Sequence, residues 1–148
     1  MTISKRLKSE RGAELIEFAL VLPLLLLVVL GIAEFGFMFM RYEVLTNAAR
    51  EGARMAVLPG YATLDVQNRV VAYANAGGIR NPTLTIGNVV ITNTTIPVAG
   101  QPAMPCRRVT VTYSYSYQFM DGIATLFGAN TSPVAMTAVS EMRVENPN

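Results

Sequence analysis

Polar and apolar positions divide the chain into three regimes. From Phe18 to Ala33 there is no charge, and Leu22–Leu30 is apolar throughout, with a single Pro23. A helix that is apolar on every face needs an apolar medium on every side. At about 1.5 Å per residue, those 16 residues would reach about 24 Å, short of a hydrocarbon core of about 30 Å. Adding Phe35–Met40 supplies the missing length and takes in one intervening acid, Glu34. Beyond Met40 the chain turns amphipathic. Ala48, Gly52 and Ala56 recur at every fourth position with Ala49 and Ala53 beside them, and Arg50, Glu51 and Arg54 take the remaining surface. Such a small-residue stripe lets another backbone approach closely, whether that of its own domain or that of a neighbouring copy. The pattern predicts one helix from about Ala13 to about Leu58, stopped by Pro59-Gly60. A second helix is predicted over Thr63–Ala76, with Thr63 as N-cap, Asp65 in its first turn, Val66, Val70, Tyr73 and Ala74 on one side, and Gly77-Gly78 as the stop.

The period then changes from helical to alternating. Val109, Val111, Tyr113, Tyr115 and Tyr117 face one way, and Thr110, Thr112, Ser114, Ser116 and Gln118 the other. Met136, Ala138, Met142 and Val144 alternate in the same manner with Thr137, Glu141, Arg143 and Glu145. A third strand is predicted over Leu84–Thr95, broken near Gly87-Asn88. Pro97 to Pro105 reads as a loop with Cys106 at its end, and Asp121–Phe127, closed by Gly128, as a short helix. Polar residues opposite apolar ones imply an antiparallel sheet with one wet face. The three tyrosines are expected to pack beneath the outer half of the long helix rather than to form a ligand platform. The fold class is therefore α+β: a long N-terminal membrane-spanning helix extending into a small ectodomain with an antiparallel sheet and one or two short helices. Three segments follow: a basic leader (1–12), the long helix (13–58, its membrane part about 18–40), and an extracytoplasmic domain (59–148).

Charge orients this arrangement. Lys5, Arg6, Lys8 and Arg11 against Glu10 give residues 1–12 a net +3, so the remaining 136 residues carry −1 of the overall +2. Basic residues on one side of an apolar span place the N-terminus in the cytoplasm and everything after Met40 outside. The location expected is a membrane crossed once, with the N-terminus on its cytoplasmic side. A secretory signal peptide is the competing reading, with Gly31 and Ala33 as small residues for cleavage. Glu14 and Glu17, between the basic and apolar regions, argue against it. On that alternative the product is a secreted or anchored envelope binding or adhesion domain.

Composition removes most chemistry. The chain has 148 residues, no His and one Cys, which excludes the usual His/Cys zinc site, His-based general-base catalysis and an internal disulfide framework. No catalytic residue, metal or cofactor is expected, nor a nucleic-acid or small-molecule partner. Cys106, alone in an oxidising compartment, is either a buried thiol or a candidate for a bridge to another chain.

The junction before the apolar run carries the remaining signal: Arg11-Gly12-Ala13-Glu14-Leu15-Ile16-Glu17-Phe18. Gly12 permits the extended backbone that a protease at the membrane surface requires. An acid carried to the bilayer centre costs roughly 2.5–3.5 kcal/mol on insertion scales, so Glu17 calls for a partner. Cutting after Gly12 would create a cation on Ala13, which could neutralise Glu17 of a neighbouring subunit. This arrangement resembles the type IV prepilin-like proteins. More closely, the junction together with Leu22-Pro23-Leu24-Leu25, Gly31-Ile32-Ala33-Glu34-Phe35-Gly36 and Asn47-Ala48-Ala49-Arg50-Glu51-Gly52-Ala53-Arg54 resembles the TadE-like family over about residues 11–58. Members of that family are pilin-like components of the bacterial tight-adherence (Flp) pilus and secretion system. The resemblance implies cleavage by a prepilin peptidase between Gly12 and Ala13, with Glu17 and Phe18 completing the recognition motif. It also implies a non-enzymatic subunit in the cytoplasmic membrane of a bacterium, whose partners are that peptidase, other pilins and pseudopilins, the inner-membrane assembly platform and the lipid bilayer. For Glu34, the expectation is a cationic partner on another pilin.

Overall fold

In the computed structural model, which describes residues 3–144, one helix dominates: α1 runs unbroken from Ile3 to Ala56. Pro23 lies inside it without ending it. The helix stops two residues before the expected Leu58, whose amide instead donates to the Met55 carbonyl at 3.1 Å and tightens the last turn. Gly60 follows at φ 91°, a left-handed conformation that Gly adopts without penalty. From Leu15 to Val29 the apolar side chains of α1 are exposed, while Leu45, Ala48, Ala49 and Ala53 are fully buried. One helix thus has two environments.

α2 spans Thr63–Ala76 and buries Val66, Val70 and Ala74, leaving Tyr73 partly exposed. Its N-cap is Ala62, not Thr63. The cap is made from the other direction: the Asp65 carboxylate accepts the Ala62 amide at 2.9 Å. An acid in the first turn satisfies an unpaired donor there and also meets the positive end of the helix dipole.

The sheet is a three-stranded antiparallel meander, β1 (Val89–Val98), β2 (Gln101–Tyr115) and β3 (Val134–Arg143), in the order β1-β2-β3. Two expectations are corrected here. The strand expected from Leu84 begins only at Val89, because a 3-10 turn over Ile86–Asn88 occupies the Gly87-Asn88 break. The segment expected as a loop, Pro97–Pro105, is the far end of the β1–β2 hairpin, turning at Ala99-Gly100. Pro97 is tolerated because β1 is an edge strand and this residue falls at a register shift between Ile96 and Val98, and Pro102 and Pro105 because they lie in the end of β2 that β3, whose pairing begins at Cys106, does not reach. Cys106 consequently lies within β2, opposite Thr94. The predicted position Glu145 lies outside the described residues. The short helix is present as α3, Met120–Leu126, closed by Gly128 at φ 70°.

The core forms where α1 crosses the sheet. Val109, Val111, Tyr113, Tyr115, Met136 and Ala138 supply the buried sheet face, and Leu45, Ala48, Ala49 and Ala53 the helix face, with Val70 and Ala74 of α2 closing one side. Each fully buried Val or Leu contributes about 1.5–3 kcal/mol. Pairing along this interface fixes direction. Glu34 meets Tyr115, Arg41 meets Tyr113, and Gly52 lies beneath Val109, so α1 rises as β2 descends. The β2–β3 connection, residues 116–133, is therefore at the end of the folded domain nearest the exposed apolar half of α1.

Candidate functional site

The most densely bonded polar group in the described chain is the Glu34 carboxylate. It sits where α1 passes from exposed to packed and is itself only 4% exposed. Tyr115 donates its hydroxyl to Oε1 at 2.5 Å. The amides of Gln118 (2.8 Å), Phe119 (2.7 Å) and Met120 (3.3 Å) donate to the same carboxylate. These amides are the unpaired donors at the start of α3, which lacks a side-chain cap of its own. A carboxylate satisfies them and meets the positive end of the peptide dipoles. The partners Glu34 has in this structure belong to its own chain, and none of them is a cation. Buried acids are tolerated when hydrogen-bonded in this way.

Two turns further along α1, Arg41 continues the seam. Its Nη1 donates to the Tyr113 hydroxyl at 3.1 Å, and Tyr113 donates to the Asn81 carbonyl at 2.7 Å. The Arg41 guanidinium lies 5.6 Å from the centre of the Tyr115 ring, within cation–π range. Burial, followed by the neighbouring Glu34 carboxylate, holds the Tyr115 hydroxyl well above the ordinary phenol range. Tyr113 and Tyr115 are thus packed under the helix and fastened by their hydroxyls, while Tyr117 is only partly buried beside them.

The residues expected to act in processing and assembly lie elsewhere. Gly12 and Ala13 are inside α1, and a side chain at Gly12 would meet nothing within 4 Å. Glu17 and Phe18 are exposed one to two turns above them. Ala48 and Gly52 face the protein's own core, and Ala56 is half-buried against it. A Cβ at Gly52 would stand 2.4 Å from Val70 Cγ2 and 3.3 Å from Val109 Cγ1, so the stripe seats α1 on its own domain. Cys106 is free and buried, its sulfur 3.6 Å from the Met104 carbonyl, which withholds it from another chain in this conformation. The junction, the stripe and the thiol occupy three separate levels of the molecule.

Residues 12–54 match the TadE-like protein family. The matched TadE-like segment begins at the junction glycine, includes the exposed apolar half of α1 and Glu34, and ends within the packed stripe. It covers well under half of the chain and leaves α2 and the whole sheet outside it. No curated protein and no solved structure matches the chain.

The sequence placed Tyr115 beneath the long helix but did not pair it, or residues 118–120, with Glu34. They are 81 to 86 positions from Glu34, so no spacing rule connects them. The available signal was an acid embedded in an apolar run, together with a strand that put three tyrosines on its apolar face.

Proposed function

We propose that this chain is a pilin-like subunit of a Tad (Flp) pilus system, anchored once in the cytoplasmic membrane with its ectodomain outside. Cleavage after Gly12 by a prepilin peptidase would prepare it for assembly. One observation carries this reading: the TadE-like segment coincides with a single unbroken helix, exposed and largely apolar below Glu34 and, above it, packed by one face onto its own domain while Phe35, Phe39 and Met40 stay exposed on the other. That division suits a subunit whose lower helix is shared with lipid or other pilin helices and whose upper part displays a folded domain. Gly12, Ala13, Glu17 and Phe18 lie on the exposed lower part, open to a peptidase or a neighbour. A net basic excess found in residues 1–12, against a net −1 over the rest of the chain, favours a cytoplasmic N-terminus.

The test is the N-terminal sequence of the protein purified from its own host with and without the peptidase. A start at Ala13 only when the peptidase is present is expected. A start at Glu34 would establish a discarded signal peptide, and a start at Met1 alongside normal pili would refute maturation by cleavage. Continuity of α1 through Gly31–Ala33, with the clamp at the next residue, supports retention of the segment. In pulldowns from membranes, Glu17→Ala is expected to insert normally and to lose its partner pilins. Recovery of those partners at wild-type levels would refute pairing between Glu17 and the new α-amine.

A further inference from the structure

The β2–β3 connection has an exposed apolar tip for which the assembly reading has no use. Leu126 and Phe127, at the end of α3, are each 83% exposed. Phe119, at the start of α3, is partly exposed and stacks at 5.9 Å against Phe37 of α1. We propose that α3 and its tip form a foot that rests in the outer headgroup–acyl boundary of the bilayer, with Leu126 and Phe127 submerged.

Three observations converge on lipid as the occupant. First, the antiparallel course of α1 and β2 puts this connection at the membrane-facing end of the ectodomain. Second, Glu34 fastens the start of α3 to α1 one residue above the uncharged run Phe18–Ala33, and the Met120 methyl lies 3.4 Å from where a Cβ on Gly31 would stand. The foot is therefore at the level where the apolar span ends. Third, that run alone reaches only about 24 Å of a hydrocarbon core of about 30 Å. A bilayer that wets the span fully also reaches the level of Glu34 and α3. Amphipathic segments bearing Phe and Leu settle at that boundary with their apolar face about 5–10 Å deep. Residues 116–133 contain one charged residue, Asp121, which accepts from Thr131 at 2.5 Å, and no Lys or Arg. Engagement is accordingly apolar and indifferent to anionic headgroups.

The inference rests on the membrane-spanning reading above, and the experiment separates the two. Full-length protein carrying Cys106→Ser receives an environment-sensitive fluorophore at Leu126→Cys, Phe127→Cys, Leu26→Cys or Ala99→Cys, the last at the far hairpin turn. Each is reconstituted into phosphatidylcholine vesicles, with and without phosphatidylglycerol, containing lipids that bear a quencher at shallow or deep positions. The expected result is a blue shift and shallow quenching at positions 126 and 127, equal in both lipid mixtures, deep quenching at 26 and none at 99. Water-like, unquenched emission at 126 and 127 with deep quenching at 26 would overturn the foot and leave the span intact. A blue shift at 126 and 127 without lipid quenching would also overturn it, since protein would then cover the tip. Absence of quenching at 26 as well would overturn both readings.

Discussion

Replacing Glu34 by Ala removes the acceptor shared by four donors, and the cost follows from where each donor is left. The Tyr115 hydroxyl is buried and has no water to turn to, which costs about 1–3 kcal/mol for an unsatisfied donor. The amides of Gln118, Phe119 and Met120 lie at a partly exposed edge and regain water, so what they lose is the net value of charge-assisted bonds, about 1.5–3 kcal/mol together with the dipole contribution. The expected sum is about 2.5–6 kcal/mol, a large share of the roughly 5–15 kcal/mol that stabilises a domain of this kind. Glu34→Gln keeps one acceptor oxygen and should lose about half as much. The assay is urea unfolding of the full chain in detergent micelles. It is followed by near-ultraviolet dichroism of the tyrosines, because the chain has six Tyr and no Trp. Hydrogen exchange over residues 116–127 provides a local readout. The expected order of midpoints is wild type, then Gln, then Ala, with exchange at 118–120 accelerated in the same order. An Ala variant within about 0.5 kcal/mol of wild type, with unchanged exchange at those amides, would refute the clamp.

Three further outcomes follow from the same geometry. Tyr115 holds its proton more tightly folded than unfolded, so its stabilising contribution is complete below the ordinary phenol pKa of about 10 and falls as pH rises beyond it. Alkaline melting curves of Tyr115→Phe should show a shallower decline than wild type. Glu141 behaves oppositely: the Thr94 hydroxyl, then Arg108 at 2.9 Å, hold its carboxyl below the usual range. Its contribution is present above about pH 4.3 and lost as pH falls through its lower folded value, so thermal melts of Glu141→Gln should be less acid-sensitive. Gly52→Ala gains about 1 kcal/mol of helix propensity but drives a Cβ to 2.4 Å from the buried Val70 methyl, and overpacking costs about 1–3 kcal/mol. A net loss of up to about 2 kcal/mol in urea titrations is expected, and a gain in stability would refute the close seat.

Local patterns were legible wherever a single periodicity decided the outcome. The bounds Thr63–Ala76 follow from a helical stripe ended by two glycines, and the buried face of β2 follows from strict alternation at Val109, Val111, Tyr113 and Tyr115. The hairpin end was not legible because Pro97, Pro102 and Pro105 suggest a loop, whereas a register shift in the edge strand β1 and the end of β2 left unpaired by β3 accommodate residues without an amide proton. The Glu34 clamp was not legible for a different reason. Its partners are one hydroxyl and three backbone amides, and backbone amides carry no residue signature. Only the folded chain reveals that the positive end of a short helix stops beside an acid.

The clamp and the Gly52 seat together constrain how the junction can meet a neighbour. They lie 18 positions apart on α1, about 27 Å along the axis, and each engages the same β2 strand. With both in place, α1 cannot turn about its axis relative to the sheet without opening one of them. At about 100° per residue, Glu17 comes to lie roughly 100° around the helix from Glu34, on a flank rather than beneath the ectodomain. A sister subunit that pairs with Glu17 must therefore approach from that flank, and the ectodomains follow in the same orientation. On the proposed pairing, Glu34 would thereby govern a contact made far below it. Loosening the clamp with Glu34→Ala should impair recruitment of partner pilins even though residues 12–18 are untouched, whereas Glu141→Gln, which lies on the far side of the sheet, should leave recruitment unchanged.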